Sequence, residues 1–240
     1  MKAILLMINL CLLCAMLSYG QMGNDTVFHQ AYNNAIKHYK NFLQDEIGLY
    51  NGPVYMDYTG TISHGSPFLG DTALLSNGHV AYNGVSYENI PLLYDIYENK
   101  LITAHPLTKI RYSLINEKVD AFSLLGYYFQ HLKPDSIYKI KPGYYETLYN
   151  GTKSSAYQRH EKETRDDLTG TVVKIRLNDK NVFYIKNRNT VVPVNSKKNI
   201  LKIYDDKEKE ISHFMRTEKL KFRKSKREDL IKITRFYNEL

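Results

Sequence analysis

Tryptophan is absent from the 240 residues, and cysteine occurs only at Cys11 and Cys14. Past residue 14 the chain therefore has no means of forming a disulfide, a thiolate nucleophile, a Cys-ligated zinc site or an iron–sulfur cluster. Glycine (13) and proline (7) are too few for a collagen-like or low-complexity chain. Phosphate-binding glycine loops, calcium loops with alternating Asp or Asn, and a Gly-x-Ser-x-Gly elbow are also missing. His160-Glu161-Lys162-Glu163-Thr164 begins like a zinc-protease box, but Thr164 stands where the second histidine is required. His29 and His38 do not share a helix face, and the other histidines are isolated. The sequence thus supplies no cofactor or metal motif and favours a binding protein over an enzyme.

Long apolar runs are scarce as well. The one at the start, Ala3 to Leu17, falls short of the roughly 20 residues of a spanning helix. It follows Met1-Lys2 and precedes Ser18-Tyr19-Gly20-Gln21, the three-part pattern of a secretory signal peptide cut after Gly20. Cys11 and Cys14 each follow a leucine, so neither fits a lipoprotein attachment site. The expectation is an exported protein, periplasmic or associated with the outer envelope, whose residues 21–240 contain no transmembrane segment and no cysteine.

What is abundant is tyrosine, with 21 residues, and basic charge, with 33 Lys or Arg against 25 Asp or Glu and a net charge of +8. Loss of Lys2 with the leader leaves +7. Residues 196–240 hold 14 basic and eight acidic residues, so +6 of that charge lies in the C-terminal segment. Its densest stretch carries Lys219, Lys221, Arg223, Lys224, Lys226 and Arg227. These six are the candidate binding residues, suited to an anionic surface such as lipid head groups or a polysaccharide. Nucleic acid fits poorly with an exported chain that lacks a recognised binding module.

The pattern between these ends predicts an α+β protein. Residues 24–48 read as an amphipathic helix with Phe28, Tyr32, Ala35, Ile36 and Tyr39 on one stripe. Residues 60–78 read as a long polar loop. Its His64, Ser66 and Asp71 are the residue types of a Ser–His–Asp site and equally those of an ordinary loop. From His79 onward the period becomes two. Asn83-Gly84 between His79–Tyr82 and Val85–Tyr87 predicts a two-residue type I′ hairpin. Strands follow at 92–97, 101–104, 109–115, 119–125, 127–132, 144–149, 153–160, 171–177, 182–186 and 190–194, which predicts an antiparallel meander in a curled sheet or sandwich. In Tyr127-Tyr128 and Tyr144-Tyr145, alternation places one ring of each pair inside and one outside. Beyond residue 196, Ser196 and a Ser225–Glu228 capping box start helices, and Asp205 and Glu208 form a cap-like pair. The predicted divisions are a leader at 1–20, a helix plus β body at 21–195 and a basic helical region at 196–240.

The stretch Gly78-His79-Val80-Ala81-Tyr82-Asn83-Gly84-Val85-Ser86-Tyr87 through Asp95, and the tail from Lys197 through Leu220-Lys221-Phe222-Arg223 to Tyr237, resemble uncharacterised exported proteins of Bacteroidota. That resemblance implies a β-rich body with a Lys-rich helical end and carries no catalytic residue. The function expected from the whole reading is a non-enzymatic envelope-associated protein that binds a protein or glycan partner, or an anionic membrane surface. Two alternatives stand beside it: a carrier of an apolar ligand in a curled sheet, and a hydrolase that uses the 60–78 loop.

Overall fold

The computed structural model describes residues 25–44, 48–133, 140–170, 172–222 and 225–240. The predicted leader, Cys11 and Cys14 lie outside them. Packing divides the chain into two units, Met1–Glu46 and Ile47–Leu240. The sequence places its divisions at 20/21 and 195/196, whereas packing places one at 46/47 and joins the C-terminal helices to the sheet.

The first unit contains α1 (Asp25–Gln44), the predicted N-terminal helix. Phe28 and Tyr32 lie one turn apart, stacked at 6.5 Å, and both are exposed.

In the second unit one open sheet holds the eleven strands of the described residues. They are β1 (Ile62–His64), β2 (Ser76–Tyr82), β3 (Val85–Asp95), β4 (Lys100–Ala104), β5 (Arg111–Ser113), β6 (Val119–Leu124), β7 (Tyr127–Leu132), β8 (Gly143–Asn150), β9 (Ser154–Asp167), β10 (Lys174–Asn187) and β11 (Thr190–Val194). Their order is β1-β10-β9-β8-β7-β6-β2-β3-β4-β5, with β11 also pairing β10. Two meanders therefore meet at the β2–β6 pair, and β1 joins β10 in parallel. The predicted hairpin forms as expected, with Asn83 and Gly84 both at positive φ (52° and 75°). Leu125 and Gly126 make a second such turn between β6 and β7.

Three strand assignments are corrected. The predicted strands at 85–87 and 92–97 belong to one strand, β3, which ends at Asp95. The predicted strands at 171–177 and 182–186 fall on one 14-residue strand, β10, which begins only at Lys174 and pairs along its length with β9. The predicted 60–78 loop contains β1.

The core explains the tyrosine content. Tyr94, Phe122, Phe129 and Tyr144 interlock edge to face or stacked at 4.7–5.6 Å, which suits the ring quadrupoles. Three of its buried phenols find a polar partner: Tyr94 donates to Asn99 Oδ1, Tyr144 to Asn116 Oδ1 and Tyr82 to Asn51 Oδ1. Tyr144 and Tyr145 are both fully buried, contrary to the one-in, one-out expectation. Both faces of β8 are covered here: Tyr144 joins this aromatic core, and Tyr145 joins Ile140, Tyr157, Tyr184 and Val191 on the reverse side.

The C-terminal segment forms α2 (Lys197–Ile203), α3 (Glu208–Thr217) and α4 (Lys226–Glu239). Ser196 caps α2 by accepting from the Asn199 N–H. Asp205 does not pair with Glu208; it begins a 3-10 turn, and α3 starts without a side-chain cap. Ser225 does not cap α4 either. Its hydroxyl donates to Asp229, whose other oxygen accepts the Phe222 N–H at 2.6 Å. Ile200, Ile211, Met215, Leu230, Ile233 and Tyr237 bury against Ala156, Phe183, Ile185 and Val194 of the sheet. No helix among the described residues is long and apolar enough to cross a membrane.

Candidate functional site: a polar cleft between the sheet and the last helix

Strand register builds the site. Phe129 of β7, Glu146 of β8, Gln158 of β9 and Phe183 of β10 are successive cross-strand partners, so they form one row on one face. His160 lies two residues beyond Gln158 and opposite Asn181, and Tyr127 lies two residues before Phe129, so all three share that face. The first turn of α4 covers the row. Tyr127, Gln158, His160, Asn181, Phe183, Lys226, Arg227 and Glu228 line a cleft of about 570 Å³ there.

Glu146 lies under the cleft with its side chain 3% exposed. Arg227 grips it with two N–H groups, Nη1 to Oε2 at 2.7 Å and Nη2 to Oε1, and Nη1 also reaches Gln158 Oε1 at 3.0 Å. His160 Nε2 meets Glu146 Oε2 at 2.8 Å. An ionised carboxylate only accepts, so Nε2 of His160 carries the proton in this arrangement. Burial opposes ionisation of Glu146. The hydrogen bonds from Arg227 and His160 outweigh it and hold the carboxyl below its ordinary range. The hydrogen bonds to Glu146, working against burial, raise Arg227. The guanidinium also sits 5.8 Å from the Tyr127 ring centre, and His160 packs edge-on to that ring at 5.8 Å. The network ties Arg227 and His160 to Glu146 in a cleft that Asn181, Lys226 and Glu228 also line.

The six basic candidates separate. Arg227 is committed to Glu146, and Lys226 lines the cleft. Lys219 and Lys221 are exposed, while Arg223 and Lys224 lie outside the described residues. Lys219 also has a backbone role. It takes φ 52° at the end of α3, where the Leu220 N–H closes onto the Met215 carbonyl at 2.9 Å. In the 60–78 segment, Ser66 Oγ accepts from the Phe68 N–H and Asp71 pairs with Lys162. His64, Ser66 and Asp71 border one depression, and among the described residues no hydrogen bond links His64 to either. A second carboxylate is buried elsewhere: Asp95 accepts from both Tyr55 and Tyr58 at 2.8 and 2.7 Å and from the Glu98 N–H. It fastens the 55–58 segment to the end of β3.

The sequence singles out the Tyr127-Tyr128 pair but not Glu146, Gln158 or Asn181, and His160 enters there only as a rejected metal ligand. The signal was a polar residue at a period-two position on an apolar face, as in Tyr144-x-Glu146 and Ala156-x-Gln158. The fold and the cleft define an α+β protein in which a C-terminal helix covers one face of an open, mostly antiparallel sheet. Comparison with protein-family models, with curated proteins and with solved structures finds no match to this chain.

Proposed function

We propose that the chain is a non-enzymatic exported protein of the cell envelope, of the kind its sequence resembles in Bacteroidota, and that it binds a glycan partner in the cleft beside Arg227. One observation carries this reading. An aromatic ring, Tyr127, and the planar polar groups of Asn181, His160 and Arg227 converge on one concavity above a fixed ion pair. A sugar ring presents an apolar face and a rim of hydroxyls. An aromatic side chain complements the first, and preset donors and acceptors complement the second. The Glu146 carboxylate already satisfies much of Arg227, which favours a polar neutral ligand over a bare anion.

Titration calorimetry against envelope polysaccharide fragments tests the reading. Tyr127→Ala and Asn181→Ala should each weaken binding about tenfold, or roughly 1.4 kcal/mol, while the fold measured by circular dichroism stays intact. Unchanged affinity in both variants, or no binding by the unaltered protein, would sink it.

A further inference from the structure

We propose that the far end of the β9–β10 ribbon is a docking point for an anionic lipid surface, independent of the cleft. Leu168, Val172 and Val173 at its tip are 72%, 67% and 63% exposed. Three apolar side chains gathered at the end of an extended ribbon are costly in water and suit the head-group boundary of a bilayer.

The charges behind the tip supply the second half of the argument. Arg176 of β10 stands directly opposite Arg165 of β9, and His64 of β1 is the register partner of Arg176 on its other side. Directly opposed residues project to the same face, so two like charges lie side by side, an arrangement that opposes strand pairing. Both arginines are exposed, and neither makes an ion pair among the described residues. The nearest carboxylate toward the tip is Asp167. It is occupied by Ser63 Oγ at 2.6 Å and by Thr169 Oγ1 at 2.7 Å, and these bonds, helped by Arg176, pull it down to about 2. Asp166 stands opposite Ile175 and so faces the other side of the ribbon, while Glu163 lies two residues further from the tip. An anion placed between Arg165 and Arg176 relieves their repulsion.

Spacing unites the two features. Arg165 precedes Leu168, and Arg176 follows Val173, by three residues, or about 10 Å of strand. Apolar groups seated about 5–10 Å into the head-group boundary leave the arginines level with the lipid phosphates.

Co-sedimentation of the full chain with vesicles tests this. One set is phosphatidylcholine alone, and the other contains about one third phosphatidylglycerol. The unaltered protein is expected to sediment with the anionic vesicles only. Arg165→Gln with Arg176→Gln, and separately Leu168→Asn with Val173→Asn, should each lower the partition about tenfold or more. Lys198→Glu, at an exposed lysine of α2, should leave it unchanged. Failure of the unaltered protein to sediment overturns the proposal. So does an unaffected tip variant, which would mark a soluble polyanion site without insertion. A loss in Lys221→Glu equal to that in the arginine pair would assign binding to the C-terminal basic run instead.

Discussion

Arg227 lies in two-pronged contact with Glu146 across 81 residues of sequence, and the contact ties the first turn of α4 to the middle of the sheet. Glu146 is almost completely enclosed, whereas about a third of the Arg227 side chain reaches solvent. Removing the two partners is therefore unequal. Arg227→Ala strands a buried carboxylate and is expected to cost about 3 kcal/mol, the lower end of the range for a broken buried pair. Glu146→Ala leaves a cation that water still reaches and should cost less. The double variant should be no less stable than Arg227→Ala alone. Urea unfolding of the three proteins checks this order, and equal losses from both single changes would contradict it.

The same pair sets an acid limit. The Glu146 carboxyl is depressed in the folded state, so its contribution is complete above the ordinary glutamate value of about 4.3 and is lost as pH falls through its folded value. The urea midpoint should drop on acidification from pH 5 to pH 3. Glu146→Gln should lose part of that dependence, and the difference between the two curves isolates this group from other carboxylates. Parallel curves would show that Glu146 is not held ionised by Arg227 and His160.

Asp95 behaves in the opposite sense. Burial raises its carboxyl, although the Glu98 N–H, Tyr58 and Tyr55 all oppose the shift. A raised carboxyl adds stability that is complete below its unfolded value and is lost as pH rises through the folded one. Removing one phenol donor weakens what keeps the charged form tolerable at neutral pH. Tyr55→Phe is expected to cost about 1.5–3 kcal/mol at pH 7, as for a hydrogen bond to a charged group. The cost should shrink below pH 4, which thermal melts at the two pH values will measure.

Much of the architecture was legible in local chemistry. Asn83-Gly84 announces its hairpin because both positions need positive φ, and Ser196 announces α2 because its oxygen satisfies a free N–H. Failures arose where partners lie far apart in sequence. Asn178-Asp179-Lys180-Asn181 looks like a turn, yet these residues continue β10 because β9 sets Glu163, Lys162, Glu161 and His160 opposite them. Asp179 and Lys162 then pair at 2.5 Å. A ribbon held by cross-strand charge needs no apolar alternation. The candidate site failed to show for a related reason. Lys226 and Arg227 belong to one basic run, and nothing in that run reveals that a glutamate on β8 neutralises one of them.

A last prediction concerns the end of the chain. Asn238 in the final turn of α4 serves the β8–β9 connection, accepting from the Lys153 and Ser154 N–H groups at 2.9 and 3.2 Å and donating to the Ser154 carbonyl at 2.9 Å. Its amide lies so close to Gly151 that a methyl group there would fall 2.2 Å from Oδ1. Glycine at 151 is therefore required by contact with the chain's own C-terminal helix. Asn238→Ala should cost about 2 kcal/mol through the stranded backbone groups. Gly151→Ala should cost about 1–3 kcal/mol through overpacking. The two must not add: once the amide is gone the methyl has room, so Gly151→Ala made in the Asn238→Ala protein should cost less than 1 kcal/mol, with the coupling read from a double-mutant cycle. Additive losses would mean that the 151–154 turn tolerates a side chain for reasons unrelated to Asn238, and that α4 does not hold this connection in place.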